Sequence, residues 1–267
     1  TLALGIVNVW KDRGAAIIRS AYAFIIGLIP LALGFWYYKT IFEFKHEQVY
    51  FTYDHALFFL SDGLAVIAVT LWLAVQIPTG ARTLVRNKGR LKSALPNLDR
   101  LLFALCSLIT LSTLWSADWR TSIYIALHFW LIFGLILSMR DWHESWNTAV
   151  LGLCAALSIQ VLTGVAGFVL QSTSFLAPLN LPWPGPLDPL THAASIIKLP
   201  DGQAFLRAYG TLPHPNILGG FTLLCLAGPI ALFLRKEKPN LFALLLLALA
   251  YSLLALTFSR SAWIAAL

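Results

Sequence analysis

The sequence predicts an all-α fold, a polytopic bundle of transmembrane helices, and three observations carry that prediction. Apolar residues make up 58% of the 267 residues and charged residues 12%, with a mean hydropathy of +0.75. A soluble domain would hold about a quarter charged residues. The apolar runs are long and continuous, without the period-2 alternation of a membrane barrel. Backbone polar groups in lipid must be satisfied within the protein, which leaves helices as the solution. Finally, Lys and Arg concentrate in some of the connections between runs and are scarce in the others.

Seven runs approach the roughly 20 residues that a span requires. They cover 15–36, 56–77, 98–115, 121–138, 147–170, 214–234 and 241–258, and an eighth starts near Ser261. With a cytoplasmic N-terminus and one crossing per run, 13 of the 19 basic residues fall inside, six of them between Arg82 and Arg100. The turn Arg235-Lys-Glu-Lys238 agrees with this orientation, which follows the excess of Lys and Arg on cytoplasmic loops. The whole of 1–267 is expected to be one transmembrane domain with a periplasmic loop at 171–213. Lacking an initial Met and stopping inside an apolar run, the sequence reads as a fragment truncated at both ends. No cleavable signal peptide is recognisable.

Two outer loops are long. Residues 37–55 are aromatic and mixed in charge. In the loop at 171–213, Leu181-Pro-Trp-Pro-Gly-Pro186 excludes a regular helix. Trp183 suits the headgroup level, and Ala193 to Leu206 is read as a short interfacial helix.

Composition also excludes several classes. The formal charge of +7 is an orientation signal with some contact to anionic membrane lipids, so no nucleic-acid partner is expected. Cys106, Cys154 and Cys225 lack metal or redox spacing and read as small packing residues. His46-Glu47 and His143-Glu144 have no third ligand at metal spacing, so no metal site is expected. No phosphate-cradling Gly-rich loop with Lys, no Gly-x-Ser-x-Gly and no His-Glu-x-x-His is present, and no cofactor is implied.

The informative residues lie between Arg207 and Arg260. In His214-Pro-Asn216, Pro215 fits the first turn of a helix, where its missing N–H costs nothing. That helix would start on the outer face with free N–H groups and its positive dipole end exposed, which favours anions. Gly210, Gly219 and Gly220 allow close backbone approach. Arg207 can fork two phosphate oxygens. The alternative is a proline-marked helix start with Arg207 on lipid headgroups. Arg260, flanked by Ser259 and Ser261, belongs to the same face; snorkelling to headgroups is its alternative role. In the turn Trp115-Ser-Ala-Asp-Trp-Arg120, Asp118 pairs with Arg120 or Arg120 meets phosphate, against plain aromatic-belt anchoring. Asp62 is a carboxylate inside an apolar run and hence a functional candidate. His128 suits an interhelical hydrogen bond. Asp54, Asp62 and His214 are the available bases.

Three stretches resemble the O-antigen ligase and polymerase superfamily of bacterial inner membranes: Leu111-Ser-Thr-Leu-Trp-Ser-Ala-Asp118, Arg207-x-x-Gly-Thr-x-x-His-Pro-Asn216-x-Leu-Gly219, and Leu256-Thr-Phe-Ser-Arg-Ser-Ala262. The likeness covers roughly 98–267. It implies a GT-C-like fold and metal-independent glycosyl transfer on the periplasmic face. The implied donor is an undecaprenyl-diphosphate-linked glycan, and the acceptor is a lipid A–core sugar or another lipid-linked glycan. By the match, Arg207 would hold the donor diphosphate, assisted by Arg260, with His214, Asn216, Gly210, Asp118 and Arg120 at the site. Family ligases also use a His in a large later loop, which would fall beyond Leu267. The rival expectations are a secondary transporter for a small anion such as bicarbonate, and a non-catalytic envelope scaffold or flippase partner.

Overall fold

A computed structural model of the chain describes residues 2–43, 55–86, 96–181, 186–191, 194–235 and 240–267. The described elements are α1 (Leu2–Phe35), β1 (Tyr38–Glu43), β2 (His55–Phe59), α2 (Leu60–Arg86), α3 (Pro96–Ser112), α4 (Trp119–Asp141), α5 (Trp146–Leu170), β3 (Ile196–Lys198), β4 (Ala204–Leu206), α6 (Pro215–Cys225), α7 (Ala227–Leu234), α8 (Leu241–Thr257) and α9 (Arg260–Ala266). The predicted helical bundle is the architecture found. Among the described residues, five helical stretches are long and apolar enough to cross a membrane: Gly14–Phe35, Leu98–Trp115, Trp119–Asp141, His143–Leu170 and Pro215–Leu234. The chain is thus built as a multi-pass membrane protein.

Of the other two expected spans, α2 runs 27 residues from Leu60 to Arg86 with its apolar stretch described over Leu60–Gln76, and Leu241–Thr257 is an apolar helix of 17 residues. Their bounds have local causes. Residues 55–59 leave the helix to pair as β2 with β1, so α2 starts only at Leu60. At the other, Phe258 takes a left-handed conformation (φ 48°, ψ 33°) that stops α8 after 17 residues. Pro229 lacks the N–H that would reach the Cys225 carbonyl, and the helix is interrupted there between α6 and α7.

The chain divides into two compact units. The first holds Thr1–Ile26, Lys39–Phe58 and Asp62–Trp146; the second holds Gly27–Tyr38, Phe59–Ser61 and Asn147–Leu267. Hydropathy registers where helices run and not how they pack, so it gave no sign of the division.

In the first unit α3 and α4 form an antiparallel hairpin. Asp118 caps α4, accepting from the backbone N–H groups of Arg120 (3.1 Å) and Thr121 (3.3 Å). Trp130 Nε1 donates to Thr110 Oγ1 across the hairpin at 2.9 Å. At its far end Arg140 pairs with Asp99. Asp141 Oδ2 there accepts from Trp72 Nε1 (3.2 Å) and Gln76 Nε2 (3.0 Å). Tyr22 meets Ser138 at 2.7 Å, and Arg19 lies over the Trp142 ring.

The second unit packs α5, α6, α7, α8 and α9 around one apolar cluster that includes Leu157, Leu218, Leu253 and Leu254, none more than 2% exposed. Glycines bring the helices close. A Cβ at Gly152 would collide with the Gly27 carbonyl, and one at Gly219 would lie 2.9 Å from the Ala262 Cβ. Small residues at such contacts let membrane helices pack where no hydrophobic drive separates protein from lipid. Cys154 and Cys225 are free thiols buried in this core, in keeping with their expected packing role.

The loop at 171–213 departs from one expectation. Ala193 to Leu206 is not an interfacial helix: β3 and β4 form an antiparallel hairpin with Ile196 opposite Leu206 and Lys198 opposite Ala204. Ile196 and Ile197 favour strand, and Gly202 (φ +86°) accepts the turn that Asp201-Gly202 makes. Trp183, Asp54, Lys45, His46 and Glu47 lie outside the described residues.

Candidate functional site

The end of α8 explains why Arg207 sits where it does. Any α-helix leaves its last four carbonyls without intrahelical partners. Here the Leu254 carbonyl accepts from Thr257 Oγ1 (2.7 Å) and Trp263 Nε1 (2.8 Å). The Ala255 carbonyl accepts from the Phe258 N–H (3.1 Å) and the Leu256 carbonyl from the Ala208 N–H (3.0 Å). The Thr257 carbonyl accepts from Arg207 Nε at 2.7 Å. Arg207-Ala208 therefore closes two of the four places, and a cation sits at the negative end of α8.

Arg207 also donates from Nη1 to Ser195 Oγ (2.8 Å) and from Nη2 to Asn216 Oδ1 (2.8 Å). Ser195 precedes β3, and its N–H donates to the Tyr209 hydroxyl at 2.7 Å. One guanidinium thus ties the hairpin, the start of α6 and the end of α8. Its three internal bonds use three of the five N–H groups an arginine has. All three acceptors are neutral. Burial lowers the Arg207 pKa from its ordinary value, yet an arginine stays charged at physiological pH.

His214 is the N-cap of α6, with Nδ1 accepting from the Asn216 N–H at 3.1 Å. Because Nδ1 accepts, the proton of the neutral ring belongs on Nε2. Burial lowers its pKa first, and the positive charge of Arg207 adds to that. His214 is therefore a neutral ring offering one N–H, which suits a donor and leaves no cap-free lone pair for a base. Its edge faces Tyr209, with ring centroids 6.5 Å apart.

One sequence expectation is corrected here. The start of α6 has no spare N–H groups: Pro215 has none, Asn216 gives its own to His214 Nδ1, and Ile217 and Leu218 give theirs to the His214 carbonyl. Only the dipole remains, and side chains must supply the donors. Asn216 is exposed, and since its Oδ1 faces Arg207, its NH2 points elsewhere.

Arg260 is exposed at the first position of α9. It follows Thr257 by three residues, which places its Cα at most about 11 Å from the carbonyl that holds Arg207. Arg207, His214, Asn216 and Arg260 thus share one end of the second unit. Gly210 (φ +61°) belongs there too, and a Cβ on it would collide with Gln160 Oε1. Asp118 and Arg120 belong to the first unit. Asp118 is a helix cap, and the Arg120 guanidinium lies over the Trp119 ring, 5.5 Å from its centroid. Asp62 and His128, also in the first unit, meet at 3.2 Å, which is the interhelical bond expected of His128.

In the same unit an open apolar groove of about 510 Å³ runs along α5, lined by Val161, Leu162, Val165, Ala166, Val169 and Leu170, with Leu249 of α8 opposite. Sequence reasoning missed Ser195, Tyr209 and the carbonyl of Thr257, since none lies in a pattern that points to chemistry. It also missed Gln160, which had a visible signal as the one glutamine within the apolar run 147–170.

The chain matches no protein-family model, no curated protein and no solved structure.

Proposed function

We propose that the chain is part of a metal-independent membrane glycosyltransferase of the O-antigen ligase or polymerase type. It would move a glycan from an undecaprenyl-diphosphate carrier to a lipid A–core or glycan acceptor at the periplasmic face of the bacterial inner membrane. The observation that carries the reading is the uncompensated charge at the site. Arg207 is fixed by a carbonyl, a hydroxyl and an amide, and among the described residues no carboxylate pairs with it or with Arg260. A diphosphate gains charge on its leaving oxygen as the glycosidic C–O bond breaks, and preorganised cations stabilise that charge most in the transition state. Arg207, Arg260, the His214 Nε2–H and the Asn216 NH2 are the donors. The groove beside α5 suits the apolar tail of such a carrier.

The acceptor hydroxyl needs a base. His214 Nδ1 is committed to its cap, and Asp62 is bound to His128 in the other unit. The resemblance puts the base on a His of a later loop. The same reading keeps seven crossings with a cytoplasmic N-terminus, so a reporter inserted at the Asp201-Gly202 turn should read as periplasmic. The direct test is transfer by the full-length protein in proteoliposomes supplied with an undecaprenyl-diphosphate oligosaccharide. Release of undecaprenyl diphosphate coupled to growth of a glycan, on an added lipid A–core acceptor or on a second carrier-linked glycan, supports the assignment; no release with or without added acceptor removes it.

A second reading, a transporter for a small anion such as bicarbonate, is favoured by one observation. Polar side chains do meet inside the helices, at Asp62 with His128 and around Gln160, as a transport path requires. Uptake of labelled bicarbonate by the same proteoliposomes, without glycan transfer, would establish it instead.

A further inference from the structure

Gln160 lies ten residues before the end of α5, about 15 Å down the helix. The residue is 1% exposed in a mainly apolar helix. Non-helical backbone at such depth persists only where protein satisfies its polar groups. The segment Arg207–His214 is such backbone, and Gln160 receives it. Gln160 Oε1 accepts the Thr211 N–H at 3.0 Å, while Nε2 donates to Thr211 Oγ1 (2.6 Å) and to the Gly34 carbonyl (3.0 Å). Thr211 Oγ1 in turn donates to the same Gly34 carbonyl at 2.6 Å. The neighbouring Gly210 leaves space that only a residue without Cβ allows.

We infer that Gln160 is a positioning residue: its amide straps the 207–214 loop to α5 and so sets where Arg207 and His214 stand. The inference rests on the diphosphate reading of the site for its functional part, and on the hydrogen bonds alone for the strap. Both ends of the loop depend on register. Four residues before Thr211, Arg207 must reach Thr257, Ser195 and Asn216 at once. Three residues after it, His214 must cap α6. An apolar side chain at 160 would leave the Thr211 N–H without its acceptor in a buried place, and the loop would shift to find another.

The test uses the full-length protein in detergent, with Gln160→Leu, Gln160→Glu and, as a control for lost stability, Leu157→Ala from the adjoining core of α5. Amide exchange of 204–214 reads the strap. Affinity for farnesyl diphosphate, a short polyprenyl diphosphate, reads the site. Gln160→Leu is expected to speed exchange at Ala208 and Thr211 by about tenfold or more relative to Leu157→Ala, and to weaken probe binding by roughly tenfold. Gln160→Glu keeps the acceptor for Thr211 N–H and should recover part of both. Equal exchange in Gln160→Leu and Leu157→Ala overturns the strap. Faster exchange in Gln160→Leu with unchanged probe affinity overturns the positioning role. A wild-type protein that does not bind the probe removes the diphosphate reading, and the exchange data then decide the strap by themselves.

Discussion

The two units treat positive charge in opposite ways. In the first, three described arginines meet an acid or a ring: Arg140 meets Asp99, Arg19 lies over Trp142 and Arg120 over Trp119, while His128 hydrogen-bonds Asp62. In the second, Arg207 is held as firmly, by three hydrogen bonds, but only to neutral acceptors, and Arg260 stands exposed close by in sequence to Thr257. A neutral clamp fixes a guanidinium in place and leaves its charge available, whereas a carboxylate clamp cancels it. The two kinds of cation therefore differ in what they are tied to and not in how tightly they are tied.

The sharpest way to break that contrast is Arg207→Ala. It removes the charge and leaves the buried Thr257 carbonyl without a donor, so both functions of the residue fail together. Affinity for farnesyl diphosphate should fall by about 100-fold, or roughly 2.7 kcal/mol. Loss of the buried partner should also destabilise the fold by about 1–3 kcal/mol. Arg207→Lys separates the two, since it keeps the charge and loses the fork. Titration calorimetry beside thermal unfolding distinguishes them, and wild-type affinity in Arg207→Ala would place the anion elsewhere. Arg260→Ala should act on binding alone, weakening it by about tenfold with unchanged thermal stability, because its side chain is exposed. Unchanged affinity there would leave Arg260 to the headgroups.

How much of this was legible beforehand follows from where each signal lives. Apolar run length is local, so most helices were readable, and Pro215 with its preceding His marked the start of α6 correctly. The strand at 55–59 and the hairpin at 196–206 were not, because pairing partners decide them and hydropathy does not. At the site, Arg207, His214 and Asn216 stood out as polar residues near Gly210 and Pro215, and Arg260 as a charge between two serines at the end of an apolar run. Their partners did not. The Thr257 carbonyl is backbone, Ser195 is one serine among many, and the acceptors that distinguish clamp from ligand site exist only after folding. The supposed free N–H groups of α6 failed for the same reason: His214 spends both its ring nitrogen and its carbonyl on them.

His214 sharpens the comparison through pH. Its folded pKa lies below the ordinary value, by burial and then by Arg207. The unfolded chain, with a His pKa near 6.5, binds the proton more readily. This group should leave stability flat above about pH 6.5 and withdraw it as pH falls toward the lower folded pKa. His214→Asn keeps a good N-cap and should abolish that acid-side loss while weakening probe binding by only about threefold through the lost Nε2–H. Thermal unfolding from pH 5 to 8 checks the sign. A wild type that gains stability on acidification relative to His214→Asn would mean that the ring is protonated in the fold and is not the cap described.

The smallest effect belongs to the cancelled charges, and it is the control on which the contrast turns. Arg140 and Asp99 are about one-third exposed, at 35% and 28% of their side chains, so solvent screens their attraction. Such pairs contribute about 0.2–1 kcal/mol. Asp99→Asn should lower stability within that range, less so in high salt. It also frees a guanidinium, so charge alone would predict a new diphosphate site in the first unit. A neutral clamp is missing there: the carboxylate is the only partner that the described residues give the Arg140 guanidinium. Farnesyl diphosphate should therefore bind Asp99→Asn with the same single stoichiometry as wild type. A second, salt-sensitive binding event in that variant would show that any unpaired arginine at a helix end recruits the anion, and the fixed geometry around Arg207 would lose its explanatory value.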